Sequence, residues 1–166
     1  MQNETDKTTF LDLVRTHQNI VHKVSLVYSK TPADREDLRQ EILLQLWKSW
    51  RSFDGRSEFS TWMYRVALNT AISFRRRQRS PEVTTENAWQ RDDQFRAASL
   101  SENLELLYRG ISRLSAVEKA VILQWLDERS YEEIADTIGI SPNNVSVRLV
   151  RIRAKLARSI EEAMSQ

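Results

Sequence analysis

Between Ser130 and Lys155 the local signals specify a helix, a tight turn and a second helix. Ser130-Tyr131-Glu132-Glu133 has capping-box spacing, in which a hydroxyl caps the helix and a glutamate three residues on reaches back. Ile134, Ala135 and Ile138 supply the inner face of that short helix. Gly139 provides the left-handed residue that a tight turn requires. Ser141 before Pro142 then starts a second helix, an N-cap followed by a first-turn proline. Along it, Val145, Leu149, Ile152 and Leu156 recur at i, i+4, i+7 and i+11, a stripe facing a core. Asn144, Arg148, Arg151 and Lys155 repeat that spacing on another face. No acidic residue interrupts Pro142 to Ile160. A helix capped at its start, apolar behind and cationic in front suits the major groove of DNA, with its first turns toward base edges.

The remainder is also helical in pattern. Three glycines and three prolines in 166 residues leave long uninterrupted periodic stretches, which predicts an all-α protein. Phe10, Leu13, Val14, His17, Val21, Val24 and Tyr28 form the stripe of one first helix. Thr31-Pro32-Ala33-Asp34 starts a second, running to about Trp50 with Leu38, Ile42, Leu43, Leu46 and Trp47 apolar. After a polar loop from Ser52 to Glu58, the third helix repeats Phe59, Trp62, Met63, Val66, Ala67, Thr70, Ala71 and Phe74. Periodicity fails from Ser80 to about Ser99, an acidic linker-like stretch, and resumes with Leu100, Leu104, Leu107 and Ile111. Ser115-Ala116-Val117-Glu118 opens a further capped helix. The expected organisation is two small helical domains, 1–79 and 99–166, joined by a flexible linker over 80–98.

Net charge is only +2, so the distribution carries the signal. Cations gather in Arg75 to Arg79 and in Arg148 to Arg158, and two separated basic patches suggest two contacts with one polyanion. The absence of cysteine excludes disulfides, thiol nucleophiles and cysteine zinc sites. The first residues lack a signal-peptide pattern, and no apolar run reaches the roughly 20 residues of a membrane span. A soluble cytoplasmic protein without membrane insertion, cofactor or metal is expected. Catalysis is not: the two histidines, His17 and His22, share the first helix, and no glycine-rich phosphate loop accompanies the carboxylates of Asp34 to Glu41.

Three segments together resemble the extracytoplasmic-function (ECF) sigma factors of bacterial RNA polymerase. Asp34-Arg35-Glu36-Asp37-Leu38-Arg39-Gln40-Glu41 is similar to the family's polymerase-binding segment. Phe53 through Thr70, containing Phe53-Asp54-Gly55-Arg56 and Trp62-Met63-Tyr64-Arg65-Val66-Ala67-Leu68-Asn69, resembles its promoter-melting and −10-reading segment. Tyr131-Glu132-Glu133-Ile134-Ala135 through Arg153-Ala154-Lys155-Leu156 resembles its −35-reading helix-turn-helix. The order and separation of the three make the likeness specific. It implies a specificity subunit that recognises and opens promoters for core RNA polymerase. The partners it implies are the clamp helices of the largest subunit and the flap region, promoter DNA in double- and single-stranded form, and an anti-sigma factor of the kind that commonly holds the family inactive.

The residues support each role. Asp37, Gln40, Glu41, Leu44 and Lys48 share one face of the second helix, and with Asp34 make a mixed charged and apolar strip suited to a protein partner. Phe53, Phe59, Trp62 and Tyr64 lie beside Arg56, Arg65 and the Arg75 to Arg79 cluster, the combination that single-stranded DNA requires. Phe59 and Trp62 also fit the core stripe, whereas Arg65, Asn69, Ser73 and Arg76 occupy the opposite face. The family's loop between second and third helices, here Ser52 to Glu58, captures a flipped base. Asn143, Asn144, Ser146, Val147, Arg148, Arg151 and Lys155 are the matching −35 positions. The first turn, Pro142-Asn143-Asn144-Val145-Ser146-Val147, departs from the family's usual Gly-Thr-Val, so the family's exact −35 bases do not carry over to it. Val147 has the chemistry to meet a thymine methyl.

A stand-alone helix-turn-helix regulator is the competing reading. It accounts for Ser130 to Lys155 but leaves the acidic second helix and the aromatic-basic third helix unexplained. The linker passes a reach test. Elements about 25 base pairs apart are separated by roughly 85 Å, and ~20 extended residues reach about 65 Å before the domains add their own width.

Overall fold

A computed structural model describes residues 2–78 and 102–166, with side chains from residue 4 onward. All regular structure among them is helical: α1 Gln2–Thr16, α2 Gln18–Tyr28, α3 Pro32–Ser49, a 3-10 turn at Trp50–Ser52, and α4 Phe59–Arg77. A second module follows with α5 Glu102–Ser112, α6 Ala116–Leu126, α7 Tyr131–Ile138 and α8 Pro142–Met164. The expected linker over 80–98, with Arg79, Ser99 and Leu100, lies outside the described residues.

The caps are where the sequence put them. The Thr31 hydroxyl accepts from the Asp34 amide, and both Ser115–Glu118 and Ser130–Glu133 close reciprocal capping boxes. Ser141 accepts from Asn144 N–H at 3.1 Å, with Pro142 in the first turn of α8. Each such cap is worth about 1 kcal/mol. Gly139 adopts φ 82°, so the left-handed turn residue is where it was expected.

The first helix needs a correction: the single stripe from Phe10 to Tyr28 is carried by two helices. The chain breaks at His17 (φ −109°, ψ 18°). Its backbone amide and its Nδ1 both reach the Leu13 carbonyl, at 3.1 and 2.9 Å, while Ile20 N–H turns to the His17 carbonyl at 3.0 Å. A side chain that takes a carbonyl from the preceding turn competes with the helical ladder. The apolar phase survives the break, which is why periodicity alone reads it as continuous.

In the first module α2, α3 and α4 pack on one another, burying Val24, Leu38, Ile42, Leu46, Met63, Ala67 and Ala71. A fully buried side chain of the Leu, Ile or Met type stabilises by roughly 1.5–3 kcal/mol. In the second, α8 lays its predicted stripe of Val145, Leu149, Ile152 and Leu156 against Ile111, Val121 and Ile134. Gly110 lets α5 approach α8 closely: a Cβ there would stand 3.0 Å from Leu156 Cδ2.

The two modules are docked, a feature the sequence did not announce. Tyr28 Oη donates to the Ala116 carbonyl at 2.6 Å. Asp127, after α6, accepts from Tyr64 Oη and pairs with Lys23. Arg129 donates to Ser60 Oγ at 3.0 Å and to Thr61 Oγ1, and its guanidinium carbon lies 5.5 Å from the Tyr64 ring centroid.

Candidate nucleic-acid interface

The α8 face opposite the core stripe is cationic and accessible. Asn143, Asn144, Val147 and Arg151 are exposed, and Ser146 and Arg148 are half-buried. Arg148 Nε donates to Asn144 Oδ1 at 2.9 Å across one helical turn. That bond holds the guanidinium plane, leaving its terminal nitrogens for a bidentate acceptor such as the O6/N7 edge of guanine or a phosphate. Lys155, placed with this group by spacing, pairs instead with Glu118 of α6. Burial would raise the Glu118 pKa, but Lys155 and the Ser115 cap outweigh it and lower it. Arg153 lies over the Trp125 ring at 5.4 Å.

On α4, Asn69, Ser73 and Arg76 are exposed along one face. Arg65, nearer the helix start, is engaged by the second module: its Nη2 donates to Asp136 Oδ2 at 3.1 Å and to the Asp136 carbonyl at 3.3 Å. The aromatic residues fall into two kinds. Trp62 is 8% exposed and packs edge and tilt against Trp50, Phe53 and Phe59, with ring centroids 5.2 to 6.2 Å apart. Its face is therefore covered by protein. Phe53 is half-buried at the start of the 53–58 loop and lies 5.8 Å from Trp50. Arg56 stands out of that loop, salt-bridged to Asp54 at 3.0 Å, and Gly55 turns it with φ 76°.

On α3, Asp37, Gln40, Leu44 and Lys48 are exposed and Glu41 is half-buried. Asp37, Gln40, Glu41 and Leu44 line a cleft of about 490 Å³ with Phe74, Arg77 and Gln78 of α4 and its end. Those last three were missed by sequence reasoning, because helical periodicity says nothing about which faces of different helices converge. Asp34 accepts from Gln78 Nε2 at 3.0 Å, and Arg77 stands 4.0 Å from Glu41. Leu43, Leu44 and Trp47 leave about two-fifths to half of their surface in solvent, an apolar patch beside the charges.

The arrangement has known counterparts. Residues 13–80 match the model of Sigma-70 region 2, and residues 104–156 match that of Sigma-70 region 4. The chain is 32% identical over 172 residues to the ECF RNA polymerase sigma-E factor of Escherichia coli K12, covering 94% of this chain and 88% of that protein. This chain belongs to the ECF sigma factors of the sigma-70 family. The sigma-E factor of Haemophilus influenzae is 30% identical over 96% of this chain and 91% of its own length. Two solved structures share the fold of this sigma factor. RpoE of Bartonella quintana, in complex with the anti-sigma factor NepR, has a TM-score of 0.68 at 22% identity, covering 93% of this chain and 96% of that one. CnrH, in complex with the cytosolic domain of CnrY, has a TM-score of 0.68 at 24% identity, covering 94% and 90%. The chain is thus a promoter-recognising sigma subunit that works with RNA polymerase and promoter DNA, and the stand-alone regulator is set aside. Among the described residues no helix is long and apolar enough to cross a membrane.

Proposed function

We propose that this sigma factor divides its work among three surfaces. The α3 face of Asp34, Asp37, Gln40, Glu41, Leu44 and Lys48, completed by Phe74 and Arg77, docks on the clamp helices of the largest polymerase subunit. Asn69, Ser73, Arg76 and the 53–58 loop with Phe53 and Arg56 take the separated −10 strand, and Arg65 joins them once released from Asp136. Trp62 serves this surface as the packed wall behind Phe53. Asn143, Asn144, Ser146, Val147, Arg148 and Arg151 enter the major groove at the −35 element, with Lys155 at the margin and the second module against the flap.

The observation that carries the reading is the Arg148–Asn144 pair, an arginine fork pre-oriented on an exposed basic helix. A fixed fork loses less rotamer entropy on binding and discriminates a guanine by roughly 1–3 kcal/mol. The protein acts in the cytoplasm, where the polymerase is, and lends it recognition without bond chemistry of its own. An anti-sigma factor of the kind that NepR is for the Bartonella quintana neighbour would act by covering the α3 face and α8.

The α3 assignment is tested apart from DNA. Asp37→Ala with Glu41→Ala should weaken capture of purified core polymerase by about tenfold or more, the scale of losing two interfacial charge contacts. Helical circular dichroism should be unchanged. Capture equal to wild type would remove α3 from the polymerase contact.

A further inference from the structure

Behind the docked modules lies a second cavity, of about 410 Å³, whose walls come from both of them. Lys30, Arg75 and Arg76 line it from the first module and Lys119 of α6 from the second. Among the described residues no aspartate or glutamate lines it. Gln78 contributes an amide that donates to Asp34, and Tyr28 closes one wall.

Lys119 is the informative member. It is 7% exposed, and its ammonium sits 5.3 Å from the centroid of the Tyr28 ring. Among the described residues no carboxylate pairs with it, and its sequence neighbour Glu118 is committed to Ser115 N–H and Lys155. A lysine is rarely buried without a partner, because desolvating its charge is costly. Burial first, then Arg75 and Lys30, push this ammonium from its ordinary 10.5 down to about 8. Lys119 with Lys30 and Arg76 around one hollow is a configuration that an anion would stabilise.

We propose that this cleft is a binding site for a small free polyanion carrying two or more phosphoryl groups, held between the modules by Lys30, Arg76 and Lys119. The size suits such a ligand, since small-molecule pockets run from about 300 Å³ upward. The depth of Lys119 favours a compact free anion over the backbone of a duplex, which tracks open grooves and surfaces. Because the cations come from both sides, the bound anion ties the second module to the first. Arg76 is shared with the proposed −10 surface, whereas Lys30 and Lys119, on which the test turns, belong to none of the three surfaces proposed above.

The test is calorimetric titration of the full chain with sodium pyrophosphate, with ionic strength matched by sodium chloride. Wild type should take up pyrophosphate saturably and melt at a higher temperature with it. Lys119→Met and the exposed Lys30→Gln should each weaken uptake about tenfold, the scale of losing one charge-assisted contact. Arg15→Gln, on α1 and away from the cleft, should bind as wild type. A parallel titration with ADP identifies the source: tighter binding than pyrophosphate assigns a nucleotide, equal binding an inorganic polyphosphate, and either supports the site. Uptake no stronger than the chloride control would overturn the proposal, as would unaltered binding in both lysine variants. A promoterless duplex that displaces pyrophosphate, and itself needs Lys119, would also overturn it by giving these cations to the DNA backbone.

Discussion

Lys119 shows at single-residue scale how burial writes itself into stability. Its proton is released at about 8 in the folded chain, against 10.5 in the unfolded one. Between those values the unfolded chain binds more protons, so folding gains stability as pH rises, by at most about 1.4 kcal/mol per unit from this group. Below about 8 both states are charged and the penalty is present in full. Lys119→Met should therefore flatten the rise measured by urea unfolding between about pH 8 and about pH 10, and be more stable than wild type near pH 7. An unchanged slope would show that the ammonium is solvated. Arg148 and Asn144 make the opposite case, a half-buried arginine and an exposed asparagine whose value lies in orientation. Their spacing was readable in the sequence because i and i+4 always meet on a helix. The Lys155–Glu118 pair was not, since its partners come from different helices 37 residues apart.

At the scale of elements, punctuation was the most legible feature. Ser130, Ser141, Ser115 and Thr31 cap the helices they were expected to cap, because a cap is decided by residues within one turn. The Gly139 turn belongs to the same class. Gly139→Ala meets no steric neighbour but must hold φ 82°, so the cost is backbone strain alone. A loss of about 1 kcal/mol, seen as a lower melting temperature, is expected, with Gly139→Asn losing less. An alanine variant as stable as wild type would mean that the turn relaxes to another geometry. The break at His17 escaped periodicity because the stripe keeps its phase across it, and the His17 dihedrals and the ring-to-carbonyl bond reveal the interruption. The α3 face was legible as a stripe, but its completion by Phe74 and Arg77 was not.

Across the whole molecule, the two modules and their helical class follow from composition and pattern, whereas their docking does not. Its bonds join residues separated by 63 to 104 positions, such as Tyr64 and Lys23 to Asp127, and no local signal specifies such a pair. Arg129 is the buried keystone, with its side chain 9% exposed and its guanidinium on Ser60 and Thr61. Arg129→Ala should leave helicity intact and enlarge the radius of gyration in X-ray scattering, at a stability cost of about 1–3 kcal/mol. An unchanged radius would mean that the Asp127 contacts suffice alone. Docking also occupies Arg65 through Asp136, so the role proposed for Arg65 on the −10 strand requires that bond to open. The division of labour between them is tested most directly by footprinting polymerase reconstituted with this sigma factor on its promoter. Wild type should protect the upstream element and open the downstream one; Arg148→Ala should lose the upstream protection and Asn69→Ala the downstream opening. Footprints identical to wild type in both variants would contradict the assignment of α8 and α4 to the two elements.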